Sequence, residues 1–219
     1  HALVERFLIK KSGLEKIILI SDKLKEIYMR RYTKIDETKF ITLPDGADLI
    51  QSNTQKRELG NGFHVGYTGS LYYEGRGIEL ILDLARNNLD FIFHLVGGTE
   101  EEVRYWKARS PTNVVFYGFV VNRDLLPLLM SFDVVLMPYQ RNLKLSGMDY
   151  STVEWMSPMK MFEYMSARKA IVASDLPVIR EILNDENSLL VSPESLEEWS
   201  NALRSLHSDI KLRETVATE

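Results

Sequence analysis

Along the chain, short continuous apolar runs alternate with longer stretches in which apolar residues recur every three or four positions. Runs of four to six apolar residues bounded by turn formers predict strands buried on both faces, and the wider spacing predicts amphipathic helices. From residue 63 onward the alternation is regular. Strands are predicted at 63–68, 91–96, 114–117, 134–137, 170–173 and 188–191, with helices near 77–87, 100–109, 123–131, 158–167 and 196–207. Strands joined through helices run parallel, so the predicted fold class is α/β, a doubly wound, Rossmann-like parallel sheet. Upstream, a strand at 16–21, a helix at 22–31 that Ser21 is placed to cap, and a strand at 39–43 make a short β-α-β unit. Residues 51–61, QSNTQKRELGN, carry no apolar period and read as an exposed linker.

Ligands of such sheets gather beyond the carboxyl ends of the strands. Gly69-Ser70, Gly97-Gly98 and Gly118 each follow a predicted strand, so their turns share that rim. The long segment 138–157 leaves the 134–137 strand at the same rim and delivers the next helix start there. Four elements thus converge on one edge.

Composition narrows the partners. A chain of 219 residues with 45% hydrophobic content can bury one good-sized core. Its 27 basic and 31 acidic residues give a formal charge of -4, which argues against a general nucleic-acid binder but leaves room for a local basic pocket. Without cysteine there is neither a disulfide framework nor a thiolate metal site, which fits a reducing compartment. No apolar run reaches the roughly 20 residues of a membrane span. His1 in place of a methionine reads as an internal start.

Residues 157–181, SPMKMFEYMSARKAIVASDLPVIRE, open with a helix start suited to an anion. Ser157 is predicted to cap the helix, Pro158 fits its first turn, and the free N–H groups that follow, including that of Met159, point outward. Lys160 in the first turn opposes the helix dipole and is unfavourable there unless an anion binds nearby. Glu163, one turn on and on the same face, is able to accept from hydroxyls beside the phosphates. The bland alternative is a capped helix with an i,i+3 ion pair. Residues 67–77, YTGSLYYEGRG, form neither a Walker loop nor the three-glycine dinucleotide pattern. They leave a close backbone approach at Gly69 and an arginine, Arg76, able to grip phosphate oxygens bidentately. A lone arginine is usually solvated, but convergence with Lys160 on one rim favours a diphosphate, which needs neutralising charge. Tyr139 reads as packing at a strand end, with the pocket as the alternative, and His94 as a core histidine. The four histidines have no metal-ligand spacing, no nucleophile elbow appears, and Met156, Met159, Met161 and Met165 read mostly as core filling.

In order, YTGSL, an Arg-Gly helix start, FDVVLMPY, SPMKMFEYM and AIVASDLPVIREIL resemble the donor-binding domain of retaining GT-B glycosyltransferases of the "glycosyl transferases, group 1" family. Upstream, ILISDKLK and FITLPDGADL resemble the end of that family's first domain and its crossing linker. The resemblance covers almost the whole chain and implies three segments: residues 1–46 from the acceptor domain, 47–61 as linker, and 62–219 as the nucleotide-sugar-binding domain. It implies transfer of a sugar from a nucleotide diphosphate sugar to a glycan or lipid-linked acceptor. Arg76 and Lys160 would hold the diphosphate, with Gly69, Ser70 and the helix start at Ser157 and Met159 around it. Glu163 would bind the ribose hydroxyls, and the backbone at Phe119 and Val120 would meet the base. No metal or other cofactor is implied, and no nucleic-acid partner. The expected location is cytoplasmic, with any contact at the inner membrane face made through the acceptor domain. Without that domain the chain is expected to bind donor but not to transfer sugar.

Two positions depart from the family's pattern. The family often has two glutamates eight positions apart, and counting back from Glu163 gives Trp155, with Glu154 adjacent but out of register. Ser70 stands where many members carry arginine. The rival reading is therefore a non-catalytic sugar-nucleotide binding module that needs a partner chain. An epimerase or phosphorylase on the same architecture would need acid/base carboxylates or a lysine-bound cofactor, and neither constellation is evident.

Overall fold

The computed structural model describes residues 9, 13–50, 54–72, 75–142 and 151–217. Near the amino end, β1 (Ile17–Leu19) and β2 (Phe40–Thr42) pair in parallel across α1 (Asp22–Arg31). Ser21 caps α1 as expected, its Oγ accepting from the Leu24 amide at 3.1 Å.

The second sheet has six parallel strands: β3 (Phe63–Thr68), β4 (Phe91–Val96), β5 (Val114–Gly118), β6 (Val134–Met137), β7 (Ala170–Ser174) and β8 (Leu189–Val191). Their order is β5-β4-β3-β6-β7-β8. The chain starts at the centre, winds outward through β4 and β5, then crosses back to β6 and winds out the other way. The direction reverses between β3 and β6, where crevices form in doubly wound sheets. The connecting helices are α2 (Ile78–Asn87), α3 (Glu100–Lys107), α4 (Asn122–Leu129), α5 (Met159–Ser166) and α6 (Leu196–Ser208). All six strands and five helices expected here are present, every end within two residues of its expected place. A further helix, α7 (Ile210–Val216), goes beyond the expectation. Its sequence IKLRETV has too little apolar period to signal it, and Asp209 starts it by accepting from the Leu212 amide.

Two apolar clusters cover the sheet, one on each face. Phe91, Phe93 and Leu84 join Trp199 and Leu203 of α6 on one side, and Phe132, Val135, Ile171, Met161 and Tyr164 fill the other. This explains why β3, β6 and β7 are buried at every position, β6 as an unbroken apolar run and β3 with His64, Gly66 and Thr68 among its apolar residues.

Three contacts fasten the β1–α1–β2 unit to the larger sheet. The Glu181 carboxylate accepts from the Asp22 and Lys23 amides at 2.7 and 2.8 Å, holding the first turn of α1. Ser21 Oγ donates to the Trp155 carbonyl at 2.9 Å, and Ser157 Oγ accepts from the Asp45 amide at 3.1 Å. Among the described residues, no helix is long and apolar enough to cross a membrane.

Candidate functional site

The glycine turns meet as the sequence suggests. Gly69 N–H donates to the Val96 carbonyl at 2.9 Å, and Gly97 N–H to the Gly118 carbonyl at 2.7 Å. A Cβ on Gly97 would stand 2.1 Å from the Gly69 carbonyl oxygen, so the two turns pack closer than any side chain permits. Gly77, with φ of +76°, packs equally tightly on Pro138 and fixes the start of α2 against the end of β6. That packing carries Arg76 to the switch point.

A cavity of about 1040 Å³ opens there. Of the predicted site residues, Gly69, Ser70, Arg76, Phe119, Val120, Met159, Lys160 and Glu163 all line it. Ser157 does not. The expected cap is absent: α5 begins at Met159, Pro158 precedes it, and no side chain caps the turn. Ser157 is drawn away by the Asp45 amide, a partner over a hundred positions distant that local sequence could not announce. The first turn of α5 therefore opens toward the cavity without a built-in acceptor.

The two cations are unusual in what they lack. Lys160 Nζ is buried and has no hydrogen-bond partner among the described residues, and the same holds for Arg76 Nε. The i,i+3 ion pair of the bland reading is not formed between Lys160 and Glu163. The ammonium lies 3.9 Å from the ring centre of Tyr67 and 5.2 Å from that of Tyr139. Burial holds the Lys160 pKa well below the ordinary lysine range, the Arg76 charge lowers it further, and Glu163 opposes both. Tyr139, 3% exposed, lies within 5.8 Å of the Arg76 guanidinium, and its hydroxyl is pushed up to about 12 by burial, with Arg76 opposing. A buried charged group without a hydrogen-bond partner is costly, and here two such nitrogens face one cavity.

Around the cations the walls differ. Phe119 is 80% exposed and Met159 59% exposed, apolar surfaces at the mouth where a flat ring can stack. Met159 thus departs from the core role expected of it, which Met161 and Met156 keep. Glu163 stands between this cavity and a smaller one of about 540 Å³ framed by residues 46–50 and α4. Sequence reasoning passed over Tyr67 and Tyr164. Tyr164 accepts from the Thr68 amide at 2.8 Å, tying α5 to the end of β3. Both tyrosines occur in apolar runs and read simply as core, so only their neighbours distinguish them.

Neither Trp155 nor Glu154 lines the cavity. Glu154 faces a separate hollow beside α1, with Lys23 and Arg141. His94 is the core histidine expected, bonded through Nε2 to His64 Nδ1 and through Nδ1 to the Tyr117 hydroxyl, both at 2.9 Å. Burial, then the neighbouring His64, lowers its pKa to about 4.

Residues 62–209 match the family model described as "Glycosyl transferases group 1". Among solved structures, Anabaena HepE in complex with UDP-glucose superposes with a TM-score of 0.71 at 17% identity, over 99% of this chain and 60% of that one. Sucrose-phosphate synthase from Thermosynechococcus elongatus gives 0.68 at 18% identity over 98% and 54%. A glycosyltransferase from Rickettsia africae gives 0.68 at 14% over 99% and 60%. At these identities the likeness is one of fold, and the chain spans somewhat over half the length of each. No curated protein sequence matches it significantly.

Proposed function

The chain belongs to the group 1 glycosyltransferase family, and from that premise we propose that its rim cavity binds a nucleotide diphosphate sugar for transfer, with retention, to a glycan or lipid-linked acceptor. The observation that carries the reading is the pair of buried cation nitrogens, Lys160 Nζ and Arg76 Nε, without hydrogen-bond partners among the described residues, beside an uncapped helix start. Each charge-assisted bond to a phosphate oxygen is worth roughly 1.5–3 kcal/mol. That Anabaena HepE was solved with UDP-glucose is consistent with it.

In this reading Lys160, Arg76 and the α5 amides neutralise the charge that develops on the diphosphate as the glycosidic bond to it breaks. Protein cations rather than a bound metal ion meet the phosphate charge. Glu163 accepts from the ribose hydroxyls, and the base lies against Phe119 and Val120. Residues 62–219 form the donor-binding unit, residues 47–61 the linker, and the acceptor is held by other structure, to which residues 1–46 belong. Transfer by the chain alone is therefore not expected.

A rival reading, a sugar-nucleotide binding module without catalysis, is favoured by one observation. Trp155 occupies the usual first-glutamate position, and neither it nor Glu154 reaches the cavity. Calorimetric titration with UDP, GDP and ADP tests the site that both readings share. Selective binding that is lost in Arg76→Ala and Lys160→Ala supports it, and unchanged affinity in both variants would sink it. Sugar release or transfer, assayed with the matching nucleotide sugar, then separates enzyme from module.

A further inference from the structure

Resting on the diphosphate reading of this cavity, we propose that Tyr67 is a positioning residue that couples its two walls, holding the Lys160 ammonium with its ring face and the Gly69-Ser70 turn with its hydroxyl. Tyr67 is 1% exposed and sits one residue before the end of β3. Its ring centre lies 3.9 Å from Lys160 Nζ, close enough for a strong cation–π contact in a desolvated setting. Its hydroxyl donates to the Ser70 carbonyl at 2.8 Å, which fixes the turn whose backbone faces the cavity. Between the two contacts lies Gly69, whose φ is +137° and where a Cβ would stand 2.8 Å from Lys160 Nζ. The missing side chain lets the ammonium rest against the turn, and the tyrosine beneath joins both.

The ring matters because nothing else described near Lys160 is well placed to hold its charge. The charged and titratable groups facing it are Arg76 before α2, Glu102 of α3, Tyr139 after β6, and Glu163 and Tyr164 of α5. Arg76 repels the ammonium, and Glu163 attracts it without forming an ion pair. Glu102 is occupied in accepting from the Thr99 amide at 2.8 Å. The quadrupole of Tyr67 is thus the closest favourable contact for the ammonium, at a place where burial favours its loss of a proton.

The test uses the whole chain and whichever of UDP, GDP or ADP it binds, titrated from pH 7.5 to 10, where the phosphates are already ionised. Affinity should fall with rising pH as Lys160 loses its proton, and Lys160→Arg should flatten that fall. Tyr67→Phe keeps the ring and loses the hydroxyl, so affinity should drop a few-fold across the range with the profile unmoved. Pentafluorophenylalanine at position 67 keeps the shape and removes the favourable ring face, so the fall should move to lower pH. A merely packed side chain would not move the profile. Coincident profiles for the two ring variants would overturn the role of Tyr67. Absence of nucleotide binding in the unaltered chain would instead overturn the diphosphate reading beneath it.

Discussion

The two ends of the six-stranded sheet treat buried basic side chains in opposite ways. Toward the amino ends of the strands, Lys169 and His64 are hydrogen-bonded by the chain itself. Lys169, just before β7, donates to the carbonyls of Met130 and Phe132 at 2.7 and 2.8 Å. His64, the second residue of β3, joins Gly60, His94 and Tyr117 in a single chain of hydrogen bonds. At the carboxyl ends, Lys160 Nζ and Arg76 Nε are buried with no such bonds. The same core produces both, and under the proposed reading one end is closed for stability while the other is left open to an anion at a cost in stability.

Substitutions at the open end provide the sharpest contrast. Lys160→Ala and Arg76→Ala should each weaken nucleoside diphosphate binding roughly 10- to 100-fold, from the loss of one charge-assisted contact. Lys160→Met should at the same time leave the thermal midpoint unchanged or raise it, because it removes a buried amino group that has no hydrogen bond or ion pair among the described residues. Calorimetry and a melting curve on the same samples read both, and a fall in both together would erase the distinction between the ends.

At His94, hydrogen-bonded within the sheet to His64 of the closed end, acid should act next most strongly. The folded-state pKa of His94, about 4, lies below its ordinary 6.5. The unfolded chain therefore binds this proton first, and stability falls as pH drops from about 6.5 through 4, by up to roughly 3 kcal/mol. Denaturant unfolding across that range should show the slope, and His94→Gln should reduce it. A slope that survives the substitution would place the acid sensitivity elsewhere.

Lys169→Met should cost about 1–3 kcal/mol, since two carbonyls lose their donor. This is the opposite sign to Lys160→Met, and equal effects on stability would contradict the contrast. The smallest effect belongs to Ser157→Ala, which removes the bond from the Asp45 amide. A loss of about 1 kcal/mol is expected, with nucleotide affinity nearly unchanged, whereas a large loss of affinity would return Ser157 to the phosphate site.

Most of the fold was legible in the sequence because strands buried on both faces must be continuously apolar and their crossover helices must be amphipathic. β3, β4 and β6 come out with their predicted bounds for that reason. α7 was not legible, since a short polar helix held by one cap and by packing on its neighbours leaves little periodic trace. In the site, Gly69, Arg76, Lys160 and Glu163 were readable because glycine turns and first-turn cations carry a local cost that hints at a ligand.

By itself, then, the sequence determined the doubly wound sheet, the rim on which the turns gather, and the family to which the chain belongs. Each of these follows from local pattern: period, turn chemistry and the order of motifs. Only the tertiary structure decided that Ser157 serves the Asp45 amide rather than the helix, that the Lys160 and Arg76 nitrogens are buried without hydrogen-bond partners among the described residues, and that Tyr67 lies beneath the ammonium. Those facts depend on residues brought together from distant parts of the chain. Burial, which sets the electrostatic cost of a charge, is a property of the assembled core and not of any segment.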